Sequence, residues 1–318
     1  MKIAAVITVD PPPDRSGRAV RLQDELFDRL GTHLHSVRLV APRLFDHACR
    51  AAIDEAPDVL VAFCDGRLAR RVGQIGYDNN IPIGLVCEAV RPVWASRLCC
   101  GVSKEAILGD LSRGTVATSR LDVGAVGGQV FFNRALCGAV AHLAEMDSGM
   151  APPGMAGLLR LELLAALATH PNVRIQATGH DIASACALSI AVDAVDADGL
   201  GAVGRGLRAL HCLAYAPPGG FARVRSAWNA LRHRAWRRSR YAVYFEVAQA
   251  IVDAGQSVWI SLDGEPIRFS GATRVRIVPR AIEAIGIPPA RGEAAPSIAE
   301  PWLSRVWNPS EPFGTRSR

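Results

Sequence analysis

No apolar run in this sequence is long enough to cross a bilayer. The most helical apolar stretch, Ala156 to Ala168, falls short of the roughly 20 residues a span needs and carries Arg160 and Glu162. Met1-Lys2 leads straight into a strand-like run, without the extended apolar region and small-residue cleavage site of a secretory signal. The eight cysteines (Cys49, Cys64, Cys87, Cys99, Cys100, Cys137, Cys186, Cys212) contain no C-x-x-C pair and mostly lie in apolar runs. They are expected to be reduced core thiols of a cytoplasmic protein rather than a metal or redox site. Cys99 and Cys100 are too close in sequence for an ordinary disulfide. No histidine pairs with acids or cysteines at metal-ligand spacing. Ser184 and Ser189 lie outside any G-x-S-x-G context, so a hydrolase nucleophile elbow has no support. There is no internal repeat and no long low-complexity tract.

What remains is a globular chain. Its 318 residues, 49% hydrophobic and 21% charged, can bury two medium cores. The net charge of +6 is unevenly spread. Between Phe221 and Tyr241 there are seven arginines and no acid, and the rest of the chain is near neutral.

In chain order, Lys2 to Val9 reads as an opening strand, and Ala19, Leu22, Leu26 and Leu30 mark one helix face. Ser36 to Val40 reads as a second strand, and Leu44, Ala48 and Ala52 as a second helix face. Asp58 to Arg71 then gives an apolar run (Val59 to Phe63), a turn at Cys64-Asp65-Gly66, and Leu68, Val72 and Ile75 at helical spacing. A turn at the carboxyl end of such a strand can hold phosphate through backbone N–H groups and a helix N-terminus. Ile81 to Cys87 is a further buried strand, and Ser103 is an N-cap candidate for a helix carrying Ile107, Leu108 and Leu111. This alternation predicts a doubly wound, mostly parallel α/β domain over residues 1–115.

Beyond it, Val116 to Val126 and Gln129 to Ala139 form a hairpin signal around Gly127-Gly128. Further strand-like runs are Val173 to Thr178, Cys186 to Val195, Leu207 to Tyr215, Ala242 to Ile251, Val258 to Leu262 and Arg274 to Pro279. Val258, Ile260 and Leu262 alternate with Ser257, Trp259 and Ser261, a period of two. The expectation is a largely antiparallel β-sandwich over 116–288, interrupted by helices near Ala156 to Ala168 and Phe221 to Trp236. Trp302, Leu303, Val306 and Trp307 suggest that the tail, 289–318, docks back on the first domain.

Two stretches carry a resemblance. They are Ser257-Val-Trp-Ile-Ser-Leu-Asp-Gly-Glu-Pro266 with the trailing Val275 to Pro279 strand, and Leu121-Asp-Val-Gly-Ala-Val-Gly-Gly-Gln-Val-Phe-Phe-Asn133. In this layout they resemble the diacylglycerol kinase catalytic-domain family, in its bacterial lipid-kinase branch, which is also similar to sphingosine kinases and shares its fold with NAD kinases. The resemblance spans about Lys2 to Pro288. It implies ATP- and magnesium-dependent phosphorylation of a lipid hydroxyl, with Glu265 as general base and Asp65 as the loop acid acting through magnesium. The family's Gly-Gly-Asp-Gly-Thr loop falls on Phe63-Cys64-Asp65-Gly66-Arg67, so Cys64, Asp65, Gly66 and Arg67 are the implied nucleotide contacts. The alternative reading of Asp263-Gly264-Glu265 is an ordinary polar turn at a strand end.

The chain departs from the family pattern at several positions. Phe63 and Cys64 stand where the family has glycines that let backbone approach phosphate, so a side chain is expected in that space. Arg67 replaces a threonine. A second loop, Gly-Thr-Gly-Asn-Asp, falls on about Ala89 to Val93 with all its glycines and polar groups gone. Arg205-Gly206-Leu207 carries an arginine in place of a metal-holding acid, and the opening asparagine-proline motif reads Asp10-Pro11. The alternative function is therefore a catalytically degenerate member acting as a lipid-binding or regulatory module.

In the basic stretch, Phe221, Val224, Trp228, Leu231 and Ala235 recur at helical spacing between arginines. Such a helix could lie on anionic lipid, with Trp228, Arg232, Arg234, Trp236, Arg237 and Arg238 facing the membrane, or pack its stripe on its own β domain while the arginines face solvent. Charge alone admits nucleic acid, but no binding motif accompanies it. The expected partners are a lipid substrate, the inner face of an anionic membrane and a second copy of the chain.

Overall fold

The computed structural model describes residues 1–9, 16–65, 68–87, 104–114, 116, 118–138, 141, 173–192, 209–217, 225, 241–255 and 257–285. The chain divides into two compact units, Met1–Val123 with Val278–Glu293, and one built on Gly124–Ile277.

The first unit is a doubly wound α/β layer. Strands β1 (Ile3–Thr8), β2 (Leu34–Val40), β3 (Val59–Cys64) and β4 (Ile83–Cys87) run parallel in the order β2-β1-β3-β4, and the last strand among the described residues, β16 (Thr273–Ile285), follows β4. Strands β1, β3 and β4 are continuous apolar runs because both of their faces are covered. On one face Ile3, Ala5, Ile7, Val59, Val61 and Phe63 pack with Ala19, Leu22, Leu26 and Leu30 of helix α1 (Ser16–Leu30) and with Ile107, Leu108 and Leu111 of helix α4 (Lys104–Ser112). The alternate residues Ala4, Val6, Leu60 and Ala62 are fully buried on the opposite face, where helices α2 (Phe45–Ile53) and α3 (Ala69–Asn79) pack. Lys104 donates to Glu25 at 2.8 Å, and Asp58 accepts the Lys2 amide at 2.6 Å, tying the start of β3 to that of β1. Leu44, expected on the apolar face of α2, is instead half exposed. A 3-10 turn, Pro42–Leu44, precedes the helix, so the buried stripe begins one residue later, at Phe45, Ala48, Cys49 and Ala52.

The second unit is a β-sandwich. One sheet has the order β12-β11-β10-β7-β14-β15, formed by β7 (Arg134–Gly138), β10 (Ala187–Ala191), β11 (Leu210–Tyr215), β12 (Ala242–Val247), β14 (Ser257–Leu262) and β15 (Glu265–Ser270), all antiparallel. The facing layer runs β9 (His180–Ala185), β8 (Val173–Ala177), β13 (Gln249–Asp253) and the first part of β16. A single core joins them, with Val173, Ile175, Ala250, Val252 and Val275 from one layer and Ala135, Cys137, Leu188, Ile190, Phe245, Ile260 and Leu262 from the other. β5 (Thr118–Val126) and β6 (Gln129–Phe131) form the expected hairpin, with Gly127 and Gly128 both at positive φ in a two-residue turn.

Two predicted strands prove to be pairs. The run 129–139 breaks at Phe132-Asn133 into β6 and β7, and the run 242–251 breaks at Ala248 into β12 and β13, with β12 in one layer of the sandwich and β13 in the other. Ser261, out of phase with Val258, Ile260 and Leu262, is fully buried with them, whereas Trp259 is exposed. Among the described residues no helix is long and apolar enough to cross a membrane. The predicted helices at 156–168 and 221–236 lie outside the described residues apart from Arg225, as does the tail from 289.

Candidate functional site

In a parallel sheet, ligands bind where successive connections leave a strand in opposite directions, at the carboxyl ends. Here the chain passes from β1 to β2 on one side and then to β3 on the other, so the carboxyl ends of β1 and β3 flank that point. Thr8 closes β1 and donates its hydroxyl to the Phe63 carbonyl at 3.3 Å, joining the two strand ends. Asp65 is the first residue beyond β3 and is half-buried. Its carbonyl accepts the Leu68 amide at 2.9 Å, which turns the chain into α3. Leu68, at the N-cap, provides no side-chain cap to the first turn of α3. Arg70, buried in that turn, places a guanidinium that was not singled out in the sequence.

The expectation that side chains at Phe63 and Cys64 fill the phosphate space is corrected in part. Both belong to β3, paired with Val86 and Cys87, and the Phe63 ring packs in the core against α1 and α4. The Phe63 ring is thus stowed in the core, and Cys64 is buried as the last residue of the strand. Gly66 and Arg67 lie outside the described residues, as do Ala89 to Val93, Arg205 and the membrane-facing candidates Trp228, Arg232, Arg234, Trp236, Arg237 and Arg238. An open cavity of about 610 Å³, lined by Val9, Leu39, Val40, Ala41, Pro42 and Arg43, lies at the carboxyl ends of β1 and β2.

In the second unit the Leu262-Asp263-Gly264-Glu265 segment is a tight hairpin. Leu262 pairs with Glu265, and Asp263 (φ 50°) and Gly264 (φ 92°) supply the two left-handed residues that a two-residue turn between right-twisted strands requires. Three consecutive amides converge on the Asp263 carboxylate: Phe132 at 2.6 Å, Asn133 at 3.0 Å and Arg134 at 2.9 Å. The Asp263 amide in turn donates to the Arg134 carbonyl at 2.9 Å, and the Val192 amide donates to that of Asn133 at 3.0 Å. Glu265 follows as the first residue of β15, half-buried, its backbone paired with Leu262 of β14. The alternative reading, an ordinary polar turn, thus describes Asp263 and Gly264 but leaves a carboxylate held on a rigid corner. The sequence gives no local hint of the Asp263 contacts, because their donors are some 130 residues away.

Elsewhere, the His211 ring nitrogen Nδ1 lies 2.7 Å from the Tyr244 hydroxyl, which donates to Glu246 at 2.8 Å. No cluster of three or more metal-ligating His, Cys, Asp or Glu side chains occurs among the described residues. The described cysteines are all buried and outside any disulfide, and burial pushes the thiols of Cys49 and Cys212 up to about 12.

No family model and no curated protein matches the sequence. Solved structures do match the fold. A diacylglycerol kinase from Bacillus anthracis str. Sterne aligns with TM-score 0.56 at 8% identity, covering 90% of this chain and 97% of that one. Two proteins of the same strain carry the provisional name diacylglycerol kinase. One aligns with TM-score 0.58 at 10% identity (90% and 95% coverage), the other with TM-score 0.57 at 11% identity (90% and 97%). Such identities speak to architecture alone: an α/β unit followed by a β-sandwich, the fold this chain shares with these diacylglycerol kinase structures.

Proposed function

We propose that the protein is a lipid kinase that moves a phosphoryl group from ATP to a lipid hydroxyl at an anionic membrane surface. The observation that carries this is Glu265, a half-buried carboxylate set on a clamped hairpin within the diacylglycerol-kinase fold. The reaction needs a carboxylate to accept the hydroxyl proton and donors to hold phosphate. Glu265 suits the first role. Asp65, with its hard oxygen ligands, and the first turn of α3, whose N-cap residue Leu68 has no polar side chain, suit a magnesium-bound triphosphate. ATP and magnesium would supply the phosphoryl group and neutralise its charge. The basic stretch around Arg232, Arg234, Arg237 and Arg238 would draw the protein to anionic lipid at about 1 kcal/mol per arginine near the surface.

The test is transfer of labelled phosphate from ATP to a panel of diacylglycerol, sphingoid and glycolipid acceptors in anionic vesicles. Transfer to one acceptor class, with vesicle binding that salt reverses, is the expected result, and no transfer to any acceptor would overturn the reading. One observation favours a second reading. β3 runs through Phe63 and Cys64, so neither residue offers the glycine backbone of a phosphate loop, which suits a degenerate module that binds lipid without ATP. Calorimetry separates the two: magnesium-dependent ATP binding at millimolar affinity or tighter excludes the module.

A further inference from the structure

The Asp263 clamp has no need of a carboxylate if its task is only to make a turn. Asp-Gly hairpins close without outside help, because the left-handed preference of the two residues is sufficient. Here the carboxylate instead reaches across to the bend between β6 and β7 and takes three successive amides, while its own amide returns a fourth bond to Arg134. The bend it grips also receives the end of β10 through Val192. Glu265 lies two residues further on, its backbone paired with Leu262, whose side chain is fully buried in the core beside Ala135. Glu265 thus follows, two residues on, a carboxylate held to the β6–β7 bend and to the first residue of β7.

We infer that Asp263 is a positioning residue, and that its charge-assisted bonds to the 132–134 amides fix the place of the Glu265 carboxylate relative to the Asn133 bend. This deepens the kinase reading and rests on it for the consequence in rate. Displacing a reacting group by about 1 Å can cost about a hundredfold in turnover.

Asp263→Asn keeps Oδ1, which takes the Asn133 and Arg134 amides, and loses the acceptor for Phe132. Asp263→Glu, with its extra methylene, keeps the charge but moves it, and serves as the second variant should the first fold poorly. Amide hydrogen exchange is expected to quicken about tenfold or more at 132–134 and at Glu265 in Asp263→Asn. In lipid phosphorylation kcat is expected to fall about a hundredfold, with KM for ATP within twofold of wild type. Unaltered exchange at Glu265 overturns the inference, and so does unaltered kcat in a protein whose wild type transfers phosphate. Wild-type protein without transfer overturns the kinase reading alone, and the exchange at Glu265 still decides whether Asp263 positions it.

Discussion

Gly124 faces Phe131 directly across the β5–β6 hairpin, and the ring lies over the bare Cα. A Cβ at position 124 would sit 2.0 Å from Cζ, 2.3 Å from Cε1 and 2.4 Å from Cε2 of Phe131. Carbon atoms pack at about 3.5–4.0 Å, so the ring would have to retreat by about 1.5 Å. It has nowhere to go, being fully buried in the sandwich core among residues such as Val126 and Ile175. Overpacking costs about 1–3 kcal/mol where neighbours can yield. Here the clash is with a whole ring edge, and we expect Gly124→Ala to reach about 3 kcal/mol. At about 2–4 °C per kcal/mol for a unit of this size, that lowers Tm by about 6–12 °C. The assay is urea denaturation followed by circular dichroism, run as a double-mutant cycle with Phe131→Ala. Removing the ring alone should cost about 3–5 kcal/mol. In the space it leaves, Gly124→Ala should cost under about 1 kcal/mol, a coupling of about 2 kcal/mol. A Gly124→Ala variant within about 0.5 kcal/mol of wild type, or additive losses in the cycle, would refute the packing argument.

Three further outcomes are expected. Gly264→Ala meets no atom within 4 Å but must hold φ near 92°, so it should cost about 1–3 kcal/mol through backbone strain alone, read as a lower Tm. Arg174 grips Asp181 through Nε at 3.2 Å and Nη2 at 2.9 Å and holds its carboxyl below the ordinary value of 3.8. A depressed folded-state value means that this stabilisation is present above 3.8 and is lost as pH falls through the lower value. The Tm difference between wild type and Asp181→Asn should therefore be small at neutral pH, since the pair is exposed, and vanish in acid. Cys49 and Cys212, buried and pushed up to about 12, should resist thiol reagents at pH 8 in native protein and react once it is unfolded, as checked by mass spectrometry.

The α/β unit was legible in sequence because its helices carry a clean apolar stripe and its strands are buried on both faces. Leu22, Leu26, Val72 and Ile75 all fall where periodicity places them. The sandwich was harder to read. Buried positions change phase at Ala248, from Phe245 and Val247 to Ala250 and Val252, and run consecutively from Val130 to Phe132, but nearly continuous apolar sequence hides both corners. β9 and β15 were missed because runs such as His-Asp-Ile-Ala-Ser-Ala and Glu-Pro-Ile-Arg-Phe-Ser hold too few apolar residues to stand out. The site divides the same way. Glu265 and Asp65 are nominated by motif residues alone, whereas the contacts of Asp263 and Thr8 are made with partners far along the chain.

The central claim is that Glu265 is the base of a lipid phosphorylation. Its most direct test is kcat of wild type and Glu265→Gln for phosphate transfer from ATP to the same lipid in the same vesicles. The glutamine keeps the shape and removes the proton acceptor, so kcat should fall by about 10²–10⁴ while amide exchange in the β14–β15 hairpin stays unchanged. Equal turnover by the two proteins would contradict the account.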